Sequence, residues 1–209
     1  LFPAPPLPVE SKPDSTPVSD ADRTAEEIIR GQLGRARGRD AIVGEEYGET
    51  GHGARRWIVD PIDGTKNFVR GVPVWATLIA LADGDEVVVG LVSAPALGRR
   101  WWAAKGTGAW TGKSLAAASR LHVSGVSSWS DASLAYASLD GWEERGKLEP
   151  FLDLMRGAWR TRGYGDVWSY MLVAEGAGAA AAAPGLELYD MAALVPIVTE
   201  AGGRFTSLD

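Results

Sequence analysis

Apolar and polar positions change period several times along this chain, and each change marks an element. From Ala21 to Leu33 the apolar residues Ala21, Ala25, Ile28, Ile29 and Leu33 recur at helical spacing. They predict a helix that starts at Ser19 or Asp20 and ends near Leu33. Gly34 to Asp40 is basic and glycine-punctuated, which reads as a connection. Short apolar runs predict strands at Ala41–Gly44 and Arg56–Asp60. Val74–Leu81 and Glu86–Ser93 predict a strand pair turned by Asp83-Gly84-Asp85. Arg99–Ala104 and Ser133–Ser138 predict two more strands, the first followed by the turn Gly106-Thr107-Gly108. Helices are predicted over Lys147–Gly157, Asp166–Glu175 and Asp190–Ala201, the last stopped by Gly202-Gly203. Ala179–Ala183 has no turn residue and is helical by propensity. Leu1–Val9 predicts a frayed tail, with residues 1–10 disordered, and Ser11–Ser19 a loop or edge hairpin. There is no internal repeat. Alternating strands and helices with an antiparallel hairpin indicate a layered α+β or mixed α/β fold, read as a single domain over residues 1–209.

Composition narrows the function classes. Apolar residues make up 45 % of the 209, including nine tryptophans, enough for a sizeable core. A formal net charge of −6 argues against non-specific binding to nucleic acid or an anionic membrane. Cysteine is absent, so disulfides, cysteine nucleophiles and thiolate-bound zinc are excluded. His52 and His122 stand in unrelated contexts without metal-ligand spacing, which leaves them surface or packing roles. No apolar run has the length of a membrane span. Leu1–Pro8 is proline-rich and lacks the basic start and long apolar core of a signal peptide, so a cytoplasmic protein is expected.

The chemistry concentrates in Trp57-Ile58-Val59-Asp60-Pro61-Ile62-Asp63-Gly64-Thr65-Lys66-Asn67-Phe68. An apolar strand ends in two aspartates three residues apart, and proline stiffens the turn between them. Carboxylates aimed at one point repel each other unless a cation lies between them, and hard divalent ions such as Mg²⁺ take oxygen ligands. Gly64-Thr65 predicts a helix start, where N–H groups meet an anion. Taken alone, a D-x-x-D-G pattern is most often a strand–helix turn with an aspartate cap. Two further acidic positions change that weighting. Gly44-Glu45-Glu46 closes the apolar run Ala41-Ile42-Val43, and Tyr189-Asp190 opens a late helix.

These three motifs, in this order and with Tyr189-Asp190-Met191-Ala192-Ala193 as the third, resemble the inositol monophosphatase family. The resemblance covers nearly the whole chain, and from Lys12 to Asp209 it is strongest to the bacterial histidinol-phosphate phosphatase branch. It implies an α-β-α-β-α sandwich of the sugar-phosphatase type, and it places a strand at Ala179–Ala183 against the helical propensity of that run. Relative to the family pattern, an N-terminal helix and a C-terminal strand–helix segment after Gly202-Gly203-Arg204-Phe205 are expected to be missing. The resemblance further implies a Mg²⁺-dependent phosphomonoesterase with two or three ions. Glu45, Asp60 and the carbonyl of Ile62 would bind one ion; Asp60, Asp63 and Asp190 would bind a second. Glu45 and Thr65 would activate water, and the N–H groups of Gly64 and Thr65 would hold phosphate. Glu46 is given a supporting role, Lys66 a solvent position or one near phosphate. The implied substrate is L-histidinol phosphate; inositol-1-phosphate or another small sugar phosphate is the alternative, and a non-catalytic member of the fold a second. A homodimer is implied, and Trp101-Trp102 and Trp110 serve an interface or the core.

Gly163-Tyr164-Gly165-Asp166 carries the branch resemblance. Asp166 is either a pocket carboxylate for the substrate's ammonium group or the cap of its own helix. Ala183 stands where the family commonly has a substrate-contacting glutamate seven residues before the last metal aspartate; Glu187 is nearby. Two other patterns lead nowhere. Asp20-Ala21-Asp22-Arg23-Thr24 imitates a phosphatase D-x-D-x-T, but Pro13 to Ser19 before it cannot be a buried strand. Its acids are read as dipole-complementing residues at a helix start; the family resemblance implies that this region, with Lys12, borders the site opening. Gly112-Lys113-Ser114 lacks the glycine a P-loop needs at 107, which is Thr107, so Lys113 is read as a solvated loop residue.

Overall fold

The computed structural model describes residues 9–11 and 17–208, with side chains from residue 20 onward. The expected tail lies outside the described residues as far as residue 8, as does the expected role of Lys12; Val9 and Glu10, expected to be disordered with it, form a strand instead.

In chain order, β1 (Val9–Ser11) and β2 (Pro17–Ser19) pair antiparallel, the edge-hairpin form of the expectation, and lead into α1 (Asp20–Ala36). Next come β3 (Ala41–Gly44), β4 (Gly48–Thr50), β5 (Arg55–Asp63) and the short α2 (Thr65–Arg70). A meander follows: β6 (Ala76–Asp83), β7 (Glu86–Ala94), β8 (Arg99–Ala104), β9 (Ala109–Ser114) and β10 (Ala117–Arg120). The last part holds β11 (Ser133–Tyr136), α3 (Asp140–Glu144), α4 (Leu148–Gly157), β12 (Arg160–Arg162), α5 (Asp166–Ala174), β13 (Ala180–Ala182), α6 (Leu188–Met191) and α7 (Leu194–Glu200).

Strands β3 to β10 form one eight-stranded sheet in the order β10-β9-β8-β7-β6-β5-β3-β4. Only the β3–β5 pair is parallel; the other neighbours are antiparallel. A second sheet, β12-β11-β13, is wholly parallel. The Ala180–Ala182 run is the strand that the family resemblance implies: pairing beside β11 overrides the weak helical propensity of its small side chains.

Register fixes the layers. Ile58 of β5 pairs with Ala80, and Ala76, Leu78, Ala80 and Ala82 share one buried cluster with Met171 of α5 and Leu194, Ile197 and Val198 of α7. Val59 therefore faces the other side, as does its parallel partner Gly44, and it is there that Glu26 of α1 meets the sheet. The far face of the small sheet packs on Trp142 of α3 and Phe151 of α4, whose rings stack at 4.0 Å. The order is thus helix, large sheet, helices, small sheet, helices: the expected five layers.

Three expectations change. The helix α1 buries not its apolar stripe but Asp22 and Glu26, both 0 % exposed, while Ile28 is 60 % exposed. Asp190–Ala201 is two helices rather than one, because Pro196 has no N–H to donate and fits only the first turn of a helix that restarts at Leu194. Adjacent Trp101 and Trp102 point to opposite faces, so Trp101 is core at 1 % exposure while Trp102 and Trp110 lie half-buried on the outer face.

The sheet–helix seat of α7 is tight at Gly90, where a Cβ would fall 2.2 Å from the Ala193 carbonyl oxygen and 2.7 Å from Pro196. Gly90→Ala is expected to destabilise the protein by about 1–3 kcal/mol through overpacking. Urea unfolding would read this as a lower midpoint at unchanged slope. An unmoved midpoint would mean that α7 does not rest this closely on β7.

Candidate active site

Two acids three residues apart on a regular strand point to opposite faces. In β5 they do not, because the register shifts between Asp60, opposite Leu78, and Asp63, opposite Ala76. Leu78 and Ala76 share a face, so the extra residue of this bulge returns Asp63 to the side of Asp60. The turn expected at Pro61 is this irregularity, and the Thr77 hydroxyl pins it by donating to the Pro61 carbonyl at 2.8 Å. Asp190 arrives from α6. One carboxylate oxygen from each of Asp60, Asp63 and Asp190 then lies within 4.8 Å of the others. Glu45, at the end of β3, hydrogen-bonds to the Asp60 carboxyl.

Each outer carboxylate is steered by a backbone N–H. Val167 N donates to Asp63 Oδ2 at 2.9 Å, and Glu187 N donates to Asp190 Oδ2 at 2.8 Å. The Glu187 side chain accepts from the Asp190 backbone in return, a reciprocal capping box. Glu187 is therefore committed to capping α6 and does not simply replace the glutamate expected at Ala183, which is half-buried against the core. Asp60 is 1 % exposed, and its Oδ1 is buried without a hydrogen-bond partner.

Burial pushes the Asp60 carboxyl well above the usual range, and Asp63, Glu45 and Asp190 push it further. Asp63 is raised by burial and by Asp166, against the Val167 N–H. Asp190 is raised to about 6 by burial, against the Glu187 N–H. Such a set is unsatisfied as it stands. An all-oxygen donor cluster with an orphaned buried oxygen fits a hard divalent cation such as Mg²⁺.

Thr65 begins α2, and its hydroxyl proton is shared between the Ile62 carbonyl at 3.0 Å and Asp22 Oδ1 at 3.3 Å. Gly64 before it takes φ 82°, and a Cβ there would meet Asp166 Oδ2 and the Val74 carbonyl, each at 3.0 Å. Asn67 Nδ2 ties the two sides together, donating to Val74 O at 2.9 Å and Asp166 Oδ2 at 3.0 Å. Asp166 itself holds a left-handed φ of 38°, a strained conformation outside glycine. Burial raises its carboxyl, and the nearby exposed Lys66 opposes this.

The structure thus gathers Asp60, Asp63 and Asp190, with Glu45 bonded to Asp60 and Asp166 beside Asp63 and Gly64. Lys66, His52, His122 and Lys113 are exposed as expected, but Lys113 lies in β9 and not in a loop. Sequence reasoning missed Asp22, Glu26 and Asn67. A sign of the first two was present: Asp22 and Glu26 align at i, i+4 with Ile29 and Leu33, so a buried stripe through the helix had to include two acids.

The sequence profile of the inositol monophosphatase family matches residues 6–209. The chain belongs to the inositol monophosphatase family. It is 66 % identical over 207 residues to a histidinol-phosphatase of Streptomyces coelicolor, covering 97 % of this chain and 78 % of that protein. A histidinol-phosphatase of Mycobacterium tuberculosis is 55 % identical over 204 residues, with the same coverage. Among solved structures, the suhB protein of Bartonella henselae superposes with a TM-score of 0.85 at 31 % identity, over 94 % of this chain and 75 % of that one. An inositol monophosphatase of Zymomonas mobilis gives 0.82 at 34 %, over 96 % and 76 %. Family membership and the shared fold agree with the layered architecture derived above.

The cluster makes stability depend on pH with a definite sign. A carboxyl whose folded pKa is raised binds more protons folded than unfolded, so metal-free stability falls as pH rises from the ordinary carboxylate range through the raised value. For Asp190 that window runs from its ordinary 3.8 to about 6. A divalent cation competes with those protons. The gain in Tm from added Mg²⁺ over an EDTA control should therefore be small near about pH 5 and larger near about pH 7.5. An equal gain at both values, or one kept by Asp190→Asn, would contradict the site.

Proposed function

We propose that this protein is a Mg²⁺-dependent phosphomonoesterase that hydrolyses L-histidinol phosphate to L-histidinol and phosphate. The observation that carries the chemistry is the trio Asp60, Asp63 and Asp190, whose carboxylate oxygens lie within 4.8 Å of one another around a buried Asp60 with one orphaned oxygen. The names of the two similar curated relatives support the substrate. Asp60, with Glu45 and the Ile62 carbonyl, would hold one ion, and Asp60, Asp63 and Asp190 a second; a third is compatible with the family resemblance. When bound, such ions neutralise phosphate charge and lower the pKa of water.

The chain's own groups do the rest. Glu45 accepts the proton of the attacking water, and Thr65 orients that water. The Thr65 hydroxyl can turn toward it because Asp22 and the Ile62 carbonyl offer alternative acceptors. The N–H groups of Gly64 and Thr65 hold phosphate oxygens. The left-handed turn at Gly64 and the absence of a Cβ let the phosphate approach that backbone. Direct attack by water requires no covalent phospho-intermediate, which fits a chain without cysteine and with both histidines, His52 and His122, exposed outside the cluster. Asp166, fixed by Asn67 and strained in backbone, pairs with the substrate's ammonium group. Its capping alternative loses weight because Gly165, not Asp166, occupies the cap position of α5.

Among the described residues no helix is long and apolar enough to cross a membrane. A cytoplasmic homodimer follows from the family resemblance, and the half-buried Trp102 and Trp110 on the outer sheet face support a dimer contact; sedimentation of the purified chain tests it.

The test is phosphate release from L-histidinol phosphate and from myo-inositol-1-phosphate, with Mg²⁺ and with EDTA. Release should depend on Mg²⁺, favour histidinol phosphate, and fall at least about a hundredfold in Asp60→Asn. Preference for the inositol ester would keep the chemistry and discard the substrate; release that survives EDTA and Asp60→Asn would discard both. Asp166→Asn should lower kcat/KM for histidinol phosphate by about tenfold or more while sparing the inositol ester, which has no ammonium group. Equal losses on both substrates would reassign Asp166 to structure.

A further inference from the structure

The hairpin between β3 and β4 carries Glu45, yet the strand pairing ends at Gly44 opposite Gly48 and leaves Glu46 and Tyr47 outside it. Its polar groups are instead collected by α1. Glu26, fully buried, accepts from Glu46 N through Oε2 at 2.7 Å and from Tyr47 N through Oε1 at 3.3 Å. The same Oε1 accepts from Arg30 Nε at 2.7 Å. Arg30 carries the clamp onward, donating to the Gly48 carbonyl and, at 2.8 Å, to the Thr50 hydroxyl. The helix therefore grips the turn at consecutive residues immediately after Glu45, while Glu45 N is fixed to Val59 O at 3.1 Å.

Gly44 belongs to the same device. A Cβ on it would sit 1.9 Å from Glu26 Oε1 and 2.8 Å from Arg30 Nη2. The glycine before the metal-site glutamate is thus a passage for a side chain from another element, and its φ is not in the left-handed region. A buried carboxylate with no cation of its own would be costly there; the Arg30 pair and two backbone donors offset that cost.

We propose that Glu26 is a positioning residue for metal binding: with Arg30 as its counter-ion and Gly44 as its passage, it sets the backbone of Glu46 and Tyr47 and so aims Glu45 at Asp60. This rests on the reading of Glu45 as a metal-site residue. Placement matters at the scale of half an ångström or so in such a site, because a ligand that drifts further leaves the coordination distance. Glu26→Gln keeps the shape but replaces one acceptor oxygen by an NH₂. With Oε1 retained for Arg30 and Tyr47, that NH₂ faces Glu46 N–H, and two donors then meet beside Glu45.

Mn²⁺ binding to the full chain, followed by electron paramagnetic resonance, and amide exchange at Glu46 and Tyr47 form the test. Glu26→Gln should weaken Mn²⁺ binding about tenfold to a hundredfold and speed exchange at both amides. Gly44→Ala should do the same, since it expels the Glu26 carboxylate. Arg30→Lys, at a partly exposed position, loses the guanidinium fork and should show a smaller shift in the same direction; it serves if either other variant fails to fold. A purely structural Glu26 would lower Tm and leave Mn²⁺ affinity per folded molecule unchanged, which overturns the proposal. Glu45→Gln separates the two levels. If it abolishes the affinity that Glu26→Gln and Arg30→Lys leave intact, the positioning role alone is wrong. If it leaves affinity at the wild-type value, the metal-site reading of Glu45 fails and the proposal with it.

Discussion

Mutual repulsion among buried carboxylates is the constraint on which this structure turns. Asp60, Asp63 and Asp190 bring oxygens within 4.8 Å of one another, and Glu45 and Asp166 add to the negative field. Burial raises the cost of each charge, and each neighbour raises it again. A fold tolerates such a cluster only by holding it open for a proton or a cation. Here the holding is done by backbone N–H groups from two helix starts, Val167 N on Asp63 and Glu187 N on Asp190. They take the outer oxygens and leave the inner ones to converge. A hard cation placed among those oxygens would relieve the repulsion that the folded chain holds.

The scaffold around the cluster serves that arrangement. A bulge in β5 puts two acids on one face, and the break before α7 lets α6 deliver the third. Beneath them the interior face of the large sheet is nearly all alanine, valine and leucine, which lets α5 and α7 lie close. On the opposite face α1 supplies buried acids rather than apolar contacts: Asp22 reaches Thr65 and Glu26 reaches the Glu45 turn. This outer helix therefore touches Thr65 directly and the two residues that follow Glu45. The groove lined by Tyr170, Ala179–Ala183 and Arg204–Leu208 contains none of the cluster carboxylates, so that cavity and the chemistry are different places.

Much of the site was legible before the fold. Asp60, Asp63, Gly64 and Thr65 are contiguous, and the acids of Glu45 and Asp190 stand at element ends that hydrophobic periodicity locates. The resemblance to a known family then assigned them to one point, and the structure puts them there. Asp22, Glu26 and Asn67 were not found, because each acts across a long sequence separation: Asp22 on Thr65, Glu26 on Glu46, Asn67 on Asp166. An acid in the first turns of a helix has a sufficient local explanation in the dipole. Only burial showed that these two do more.

By itself the sequence determined the alternation of strands and helices, the layered class, and the chemical type of the site, because periodicity, turn residues and a contiguous acidic motif are local properties. It also determined that no thiol takes part. Tertiary structure decided which face each residue serves. The bulge that turns Asp63 toward Asp60 depends on pairing with β6; the strand at Ala180–Ala182 depends on β11; the polar face of α1 depends on the hairpin it grips. In each case the deciding energy lies in partners far along the chain, and a side chain's neighbours along the chain carry no record of it.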